Sequence, residues 1–465
     1  MTKRASSTEF SSLKLSPALI QNLVTLDYHE MTPVQAKSLP LILDGKDVIA
    51  QAKTGSGKTA AFGLGLLHNL NVKRFRVQSL VLCPTRELAD QVAKEIRKLA
   101  RSIHNIKVLT LCGGKPMGPQ IGSLEHGAHI VVGTPGRIVD HIERGRLNLE
   151  NVNTLVLDEA DRMLEMGFQP ALDLIYSHCS SKRQTLLFSA TFPEQIMPVT
   201  QKIMNEPVTV KVTSTHDDSI IRQHFYQIKD NSQRMNALSI ILQNFIPQSA
   251  VVFCNTRIET KEVAEELRMQ GFNTQALHGD LEQRDRDVIL LKFANKSTSV
   301  LVATDVAARG LDIDSLDMVV NYHISHDPEV HVHRIGRTGR AGSKGVACTL
   351  VTGKESYKIK QLEEVIGHSI EVEELPKLNK LEIVRIKPPM VTLQIEGGKK
   401  QKVRPGDILG ALTGKDGISG DQVGKINLFD FRAYVAVKRE VANDALDKLT
   451  NGKLKGRSFK VRRIS

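Results

Sequence analysis

The segment from Ala52 to Thr59 carries residue types suited to holding a phosphate chain. Its members are Ala52, Lys53, Thr54, Gly55, Ser56, Gly57, Lys58 and Thr59. It follows an apolar run predicted as a strand (47–50) and opens a predicted helix, so backbone N–H groups can surround the β- and γ-phosphates of a nucleotide at a helix N-terminus. Lys58 would neutralise phosphate charge, and the Thr59 hydroxyl would ligate Mg²⁺. Ala52 stands where such loops usually begin with glycine, and the alternative is a glycine-rich turn with an incidental lysine.

A pair of adjacent carboxylates would supply the second half of this chemistry. Asp158 and Glu159 follow an apolar run (154–157), where a carboxylate facing Mg²⁺ belongs. Asp158 is predicted to hold the ion largely through water, because Mg²⁺ sheds its waters reluctantly. Glu159 is the candidate base that positions or deprotonates an attacking water. Neighbouring carboxylates are often only solvated surface, but their place after a strand and downstream of a phosphate loop favours catalysis.

Hydroxyl groups end the next predicted strand. Ser189 and Thr191 are predicted to bond to the acidic run that ends at Asp161, which would couple hydrolysis to domain movement. Ser-Ala-Thr alone is a weak signal. His333, from a later segment, is a further candidate for this coupling, together with Asp161, Ser189 and Thr191.

Three arginines recur at helical spacing late in the chain. Arg334, Arg337 and Arg340 would share one helix face. Charge spread over a transferring phosphoryl group attracts such side chains, and Arg337 and Arg340 are the leading candidates for arginine fingers. The alternative is an exposed basic face. Because they lie beyond the first group of strands, hydrolysis would depend on closure of two domains.

The elements that position these residues follow a repeated pattern. Short apolar runs alternate with amphipathic stretches from about 40 to 205, and again from about 217 to 370, which predicts two α/β, doubly wound parallel sheets with ligands at the carboxyl ends of their strands. A third region beyond about 376 has the order βαββαβ, typical of an RNA-recognition-motif (RRM) fold, which is α+β. We expect domains at 1–212, 213–375 and 376–465, with a linker at 213–218.

Charge and composition indicate the partner and the compartment. The net charge is +12, and residues 380–465 hold 19 Lys and Arg against 9 Asp and Glu. A basic tail suits a polyanion such as nucleic acid, although a solubilising surface would look the same. Five scattered cysteines without a CxxC pair favour neither disulfides nor a zinc site. No signal peptide or run of 18 apolar residues is present, so a reducing cytoplasm and no membrane partner are expected. The protein is also expected to be a monomer.

With these motifs in this order, residues 10–370 resemble the DEAD-box RNA helicases. The resemblance includes the segment Met31-Thr32-Pro33-Val34-Gln35, with Phe10 lying 25 residues before Gln35. It implies two RecA-like domains, ATP and Mg²⁺ as cofactors, and RNA-stimulated ATP hydrolysis. By resemblance Gln35 reads the adenine edge, and Phe10 stacks on the ring as an exposed aromatic. Gly310 and Asp312 match the ribose-contacting segment.

The resemblance also implies which loops contact RNA in the two domains. Short polar loops suit phosphate and 2′-OH contacts that do not read bases. The candidates are Pro84, Arg86, Gly114, Thr134 and Arg137 in the first domain, and Asn255, Arg257, Gly279, Arg286 and Thr304 in the second.

The tail resembles the C-terminal domain of one bacterial member of this family. That resemblance implies an ATPase stimulated by a hairpin of 23S rRNA and acting in assembly of the 50S ribosomal subunit. Thr392, Arg432 and Tyr434 occupy the positions where an RRM places its stacking aromatics, so stacking on the sheet is doubtful. The candidate RNA contacts are Lys399, Lys400, Lys402, Arg404, Lys425, Tyr434, Lys453, Lys455 and Arg457.

Two other functions share these motifs. An ATP-gated RNA clamp or assembly scaffold would need little strand separation and would have the same sequence. A DNA translocase is the third hypothesis, against which the segment at Gln35 and the RRM-like tail argue.

Overall fold

The computed structural model describes residues 8–52, 55–192, 196–212, 221–308, 316–339, 345–377 and 387–464. These form two seven-stranded parallel sheets and one four-stranded antiparallel sheet. The predicted fold class, two doubly wound domains followed by a smaller α+β domain, is therefore confirmed. The expected domain boundary at 213 and the linker lie outside the described residues.

The first domain is a parallel sheet in the order β3-β4-β2-β5-β6-β1-β7. Its strands are β1 (Val48–Gln51), β2 (Ser79–Leu82), β3 (Val108–Leu111), β4 (Ile130–Gly133), β5 (Thr154–Asp158), β6 (Gln184–Ser189) and β7 (Val208–Lys211). Its helices are α1 (Pro17–Thr25), α2 (Pro33–Leu43), α3 (Lys58–His68), α4 (Arg86–Leu99), α5 (Met117–Glu125), α6 (Pro135–Glu143), α7 (Ala160–Glu165), α8 (Gln169–His178) and α9 (Ile196–Ile203).

Both faces of this sheet are buried, which explains why its strands are continuous apolar runs. Side chains alternate along each strand, so Val48 and Ala50 pack in one core while Ile49 packs in the other. On α4 the buried residues recur at helical spacing, and Thr85 caps its first turn by accepting a hydrogen bond from Leu88 N–H at 3.3 Å. The doubly wound arrangement thus follows from the hydrophobic pattern.

The second domain repeats the architecture in the order β10-β11-β9-β12-β13-β8-β14. Its strands are β8 (Ile221–Ile228), β9 (Ala250–Cys254), β10 (Thr274–Leu277), β11 (Val300–Thr304), β12 (Met318–Asn321), β13 (Gly345–Thr352) and β14 (Val372–Glu373). Its helices are α10 (Arg234–Phe245), α11 (Arg257–Met269), α12 (Gln283–Ala294), α13 (Asp305–Ala308), α14 (Pro328–Ile335) and α15 (Ser356–Ile366).

The C-terminal domain has the predicted βαββαβ order, with antiparallel strands arranged β16-β17-β15-β18. Its elements are β15 (Met390–Ile395), α16 (Pro405–Thr413), β16 (Val423–Leu428), β17 (Ala433–Lys438), α17 (Ala442–Asn451) and β18 (Val461–Ile464). Val391, Leu393 and Ile395 face the two helices and form its core.

The C-terminal domain contacts the turn that follows α12 in the second domain. Thr392 and Ser297 share a hydroxyl–hydroxyl hydrogen bond of 2.7 Å, and Asn295 Nδ2 lies 3.4 Å from Thr392 Oγ1. The backbone N–H of Met390 donates to the Lys296 carbonyl at 3.2 Å. Both Thr392 and Ser297 are buried. These contacts join the second and C-terminal domains into one compact unit, separate from the first domain.

Four of the five cysteines, among them Cys83 and Cys254, are buried core residues, and all five are free thiols. No helix within the described ranges is long and apolar enough to cross a membrane.

Candidate functional site

The phosphate loop ends in a backbone conformation that needs glycine. Gly57 has φ +94° and is the residue before α3, whose first residue is Lys58. A Cβ atom on Gly57 would lie 2.5 Å from Gln35 Nε2 and 3.0 Å from Thr32 Oγ1. Any side chain here would therefore be both strained and obstructed. The described part of the loop has the strand-to-helix setting that the sequence predicts.

The segment around Gln35 is bonded to this loop. Gln35 Nε2 donates to the Gly57 carbonyl at 3.0 Å, and Gln35 Oε1 accepts from Thr32 N–H at 2.8 Å. The Thr32 hydroxyl donates to the Ser56 carbonyl at 2.7 Å. Gln35 is buried, so in this structure it fixes the loop rather than presenting its amide to a ligand. Thr32 and Gln35 form a capping box on α2, a signal readable in the spacing Thr-x-x-Gln.

Two buried polar atoms at the centre of the site make no hydrogen bond within the described ranges. They are Lys58 Nζ, at the N-terminus of α3, and Asp158 Oδ1, at the end of β5. Strands β1 and β5 are separated in the sheet only by β6. A buried charged atom without a partner costs free energy, so such a pair indicates a ligand that satisfies both.

Burial controls the charge of Asp158. Removal from water raises the pKa of this carboxyl to about 7, although the nearby Lys58 ammonium opposes the shift and the Glu159 carboxylate adds to it. A cation beside Asp158 would favour the ionised form. Oxygen ligands suit Mg²⁺, and Asp158 together with the Thr59 hydroxyl at the start of α3 fits that ion.

Glu159 occupies a strained backbone position between β5 and α7. Its φ and ψ are both +53°, in the left-handed region that costs a residue with a side chain roughly 1 kcal/mol or more. Glu159 is also mostly buried. The turn places two successive carboxylates, Asp158 and Glu159, at the junction of β5 and α7.

Asp161 makes the contacts that its spacing predicted. Its Oδ2 accepts from the Thr191 hydroxyl at 2.7 Å and from Thr191 N–H at 3.0 Å. Asp161 N–H points to Ser189 Oγ at 3.4 Å. Burial would raise the pKa of Asp161, but the hydrogen bonds from Thr191 outweigh it and hold the pKa below its usual value. The bonding between the hydroxyl-bearing segment and the acidic run is thus confirmed, and its role in coupling stays a prediction.

The candidate RNA-contacting residues of the first domain lie at the carboxyl ends of β2, β3 and β4. These three strands form one side of the sheet, whereas the phosphate loop and acidic run lie on the other. Arg86 passes so close to Gly114 that a Cβ atom there would be 1.8 Å from Arg86 Nη1. Arg137 donates to the Lys115 carbonyl at 3.2 Å, and Thr134 is the residue immediately before α6. Pro84 lies just before Thr85, the cap of α4.

The second domain repeats this arrangement. Thr256 caps α11 with φ −126° and ψ 158°, nearly identical to Thr85 with φ −127° and ψ 158°, so Arg257 and Arg86 begin equivalent helices. Arg257 is exposed and forms an ion pair with Asp280, next to Gly279. The candidate RNA-contacting residues of the second domain thus also lie at the carboxyl ends of strands. Asn255 follows β9, Gly279 follows β10 and Thr304 ends β11. Arg286, on α12, donates to the Ala307 carbonyl at 3.3 Å.

The two arginines of the late segment that the structure describes, Arg334 and Arg337, have different surroundings. Arg334 is buried and pairs with both oxygens of Asp305, each at 2.7 Å. It also lies over the Phe253 ring at 5.2 Å. Arg334 is therefore a structural residue. This agrees with the choice of Arg337, and not Arg334, as a leading candidate for an arginine finger. Arg337 follows the end of α14, two residues after Ile335, so the prediction that it shares a helix face with Arg334 is wrong, because the helix ends before it. His333 lies on that helix.

Some predicted residues lie outside the described residues. These are Lys53, Thr54, Gly310, Asp312 and Arg340.

Two expectations about aromatic residues are wrong. Phe10 is only 2% exposed and meets Tyr28 edge-on at 6.1 Å, so it is a core residue rather than an exposed ring. It does border a cavity of about 340 Å³ that Tyr28 also lines. Tyr434 is 4% exposed and packs edge-on against Phe429, which leaves no ring face for RNA.

The basic residues of the C-terminal domain are exposed as predicted. Lys399, Lys400, Lys402 and Arg404 lie between β15 and α16, Lys425 is on β16, and Lys453, Lys455 and Arg457 lie between α17 and β18. Lys455 Nζ donates to the Lys402 carbonyl at 3.3 Å, so the basic residues that precede α16 lie close to those that follow α17.

The fold and these sites define a class of protein. Residues 32–199 match the DEAD/DEAH box helicase model, residues 233–342 the helicase conserved C-terminal domain, and residues 392–463 the DbpA RNA binding domain. The chain belongs to the DEAD/DEAH box helicase family and is an ATP-dependent RNA helicase.

Particular relatives match most of its length. The chain is 50% identical over 456 residues to ATP-dependent RNA helicase DbpA of Escherichia coli (strain K12), which covers 98% of this chain and 99% of that protein. It is 45% identical over 393 residues to DEAD-box ATP-dependent RNA helicase CshA of Geobacillus kaustophilus (strain HTA426), covering 84% and 81% of the two chains. The structure of S. cerevisiae Dbp5 bound to RNA and ADP BeF3 aligns with a TM-score of 0.72 at 30% identity, covering 79% of this chain and 96% of that one.

Proposed function

We propose that this helicase hydrolyses ATP in an RNA-stimulated cycle that remodels local RNA structure, and that its C-terminal domain directs it to a hairpin of 23S rRNA during assembly of the 50S ribosomal subunit. The observation that carries the hydrolytic part is a pair of buried atoms beside Glu159, Lys58 Nζ and Asp158 Oδ1, which have no hydrogen-bond partner among the residues that the structure describes. The rRNA target rests on the 50% identity to DbpA and on the matching RNA binding domain.

In this proposal each residue of the site has a distinct task. The loop backbone and Lys58 bind the β- and γ-phosphates, where the N-terminus of α3 favours negative charge. Thr59 and, mainly through water, Asp158 would hold Mg²⁺, which when bound neutralises charge on the phosphates. Glu159 orients the attacking water and accepts its proton.

Arg337 is proposed to complete the site. It is set apart from Arg334 because that guanidinium is already engaged by Asp305. Arg337, with Arg340, would stabilise charge on the transferring phosphoryl group once RNA has closed the two domains. Gln35 is proposed to act on the adenine side after its hydrogen bond to the Gly57 carbonyl rearranges.

RNA binding is divided between two kinds of surface. Loops at corresponding strand ends of the two helicase domains hold the backbone without reading bases, which suits an enzyme that acts on many sequences. The basic loops of the C-terminal domain select the RNA. Thr392 and Ser297 attach that domain to the second domain, so an RNA held by one is near the other. We further propose domain boundaries near 213 and 376 and a cytoplasmic monomer.

The test is RNA-stimulated ATP turnover in Glu159→Gln and Lys58→Ala variants. Both should fall at least about 100-fold, because each removes a group that acts on the reacting phosphates. Glu125→Gln, which changes an exposed carboxylate at the end of α5, is the matched control and should turn over normally. Full turnover by Glu159→Gln would refute its assignment as the base.

An ATP-gated clamp is the second candidate function, because the same site would serve it. A hydrolysis-dead Glu159→Gln chain that fully restores ribosome assembly in cells lacking the protein would favour the clamp. Failure to restore assembly would favour remodelling by hydrolysis.

A further inference from the structure

The sheet face of the C-terminal domain is covered. Thr392 and Gln394 on β15, and Tyr434 and Ala436 on β17, point away from the domain core, yet none is more than 4% exposed. At Thr392 the covering element is the turn after α12, through Ser297 and Asn295. RNA bases therefore cannot stack on these two central strands while the domain stays docked.

Two aromatic rings of the domain are exposed elsewhere. Phe431 is 64% exposed and Phe429 is 41% exposed, and both lie in the turn between β16 and β17. A single exposed ring is normal on a soluble protein, but two aromatic residues within one four-residue turn form an apolar patch of the kind that marks binding sites. A base-stacking contact needs such a ring, since every base has a π-face that can pack on it.

Basic residues are fixed beside these rings. The backbone N–H of Lys399 donates to the Phe429 carbonyl at 2.9 Å, and that of Lys400 donates to the Asp430 carbonyl at 2.8 Å. Gly398 makes this approach possible, because a Cβ atom there would lie 2.2 Å from the Phe429 carbonyl oxygen. The segment that begins at Gly398 and the β16–β17 turn thus form one surface. Backbone hydrogen bonds fix the two segments to each other, while the side chains of Lys399 and Lys400 remain exposed.

The charge of this surface favours a polyanion over a protein. Exposed Lys399, Lys400, Lys402 and Arg404 lie on the segment that adjoins the turn, whereas Asp430 is the exposed carboxylate at its tip. Two adjacent rings offer much less area than the roughly 800 Å² per partner of a stable protein interface. One nucleotide base with flanking phosphates fits both the size and the charge.

We propose that Phe431, supported by Phe429, stacks on an unpaired base of the RNA held by the C-terminal domain, while Lys399 and Lys400 contact its phosphates. This rests on the proposed RNA selection by that domain. The stacking platform of the domain is in the β16–β17 turn instead of on the sheet.

The test uses the full chain with a short stem-loop RNA and a blunt duplex of the same stem. Phe431→Ala should weaken stem-loop binding about 10-fold at every salt concentration, because stacking releases no counterions. Lys400→Ala should instead reduce the salt dependence of binding. Tyr357→Ala, which removes another exposed ring on α15, should bind as the unaltered chain does.

A second variant reports stacking directly, because the chain contains no tryptophan. In Phe431→Trp the new indole is the sole tryptophan, and its fluorescence should be quenched by the stem-loop but much less by the duplex. Tyr357→Trp should show no quenching with either RNA. Unchanged affinity in Phe431→Ala together with no quenching in Phe431→Trp would overturn the inference. Failure of the unaltered chain to bind the stem-loop in preference to the duplex would instead count against RNA selection by the domain.

Discussion

The carboxylate of Asp161 accepts two hydrogen bonds from Thr191, one from its hydroxyl and one from its backbone N–H. These bonds connect α7, which contains Asp161, to the residues that follow β6. A movement of either element is therefore transmitted to the other. Both residues are buried, which strengthens their interaction.

Replacing Thr191 with valine should test this link. The variant keeps the shape and the backbone bond but loses the hydroxyl, which should cost about 1–2 kcal/mol of stability. We expect ATP hydrolysis to persist while RNA unwinding per ATP falls several-fold. Unwinding and ATPase rates measured on the same samples check this. Thr200→Val, a buried threonine on α9 that bonds locally to Met197, is the control, and equal coupling in both variants would contradict the link.

Arg334 and Arg337 should respond differently to substitution. Arg334→Gln leaves the Asp305 carboxylate without its bidentate partner, which should destabilise the protein by roughly 3 kcal/mol. Arg337→Gln should destabilise the protein less than Arg334→Gln, because Arg337 is only half-buried, but should lower RNA-stimulated turnover at least about 100-fold. Thermal unfolding and ATPase assays separate the two effects. A stable, active Arg334→Gln chain would show that its buried ion pair has been misread.

The contact between Ser297 and Thr392 should contribute to stability as a pair. Ser297→Ala, Thr392→Val and the double variant form a cycle whose coupling energy should be about 1 kcal/mol, typical of a buried hydrogen bond. Unfolding in denaturant measures it. A coupling energy of zero would mean that the C-terminal domain is not held at this point.

His331 should make the second domain sensitive to acid. Burial lowers the pKa of this imidazole to about 3, and the Arg334 charge adds to the shift. Because the unfolded chain binds a proton near pH 6.5 and the folded chain does not, stability should fall as pH drops below 6.5, by about 2 kcal/mol between pH 7 and 5. His331→Asn should flatten this dependence, whereas His178→Asn, an exposed residue, should not. Parallel pH profiles for all three chains would refute the assignment.

The sequence predicts the parts of the site that depend on local pattern. The apolar runs and the spacing of the glycines place Lys58 at the start of α3 and Asp158 at the end of β5. The position of Thr191 just after β6 predicts its hydrogen bond to Asp161. These features can be predicted because, in a parallel sheet, the residues that follow successive strands all lie at the same edge of the sheet.

Long-range packing explains what the sequence could not predict. The burial of Phe10 against Tyr28 and of Tyr434 against Phe429 depends on neighbours that no periodicity reveals. The engagement of Gln35 by Gly57 arises likewise from the approach of α2 to the phosphate loop. The exposed turn that holds Phe429 and Phe431 has no hydrophobic periodicity, so the sequence does not indicate a role for these two rings.

We propose that ATP hydrolysis at the Lys58–Glu159 site is driven by an RNA chosen by the C-terminal domain. The most direct test of this proposal is the ATPase rate of the full chain across a panel of rRNA fragments and DNA oligonucleotides of the same sequences. We predict that a hairpin of 23S rRNA stimulates hydrolysis far more than the other fragments and that its DNA counterpart does not. Equal stimulation by all RNAs, or by RNA and DNA alike, would contradict the account.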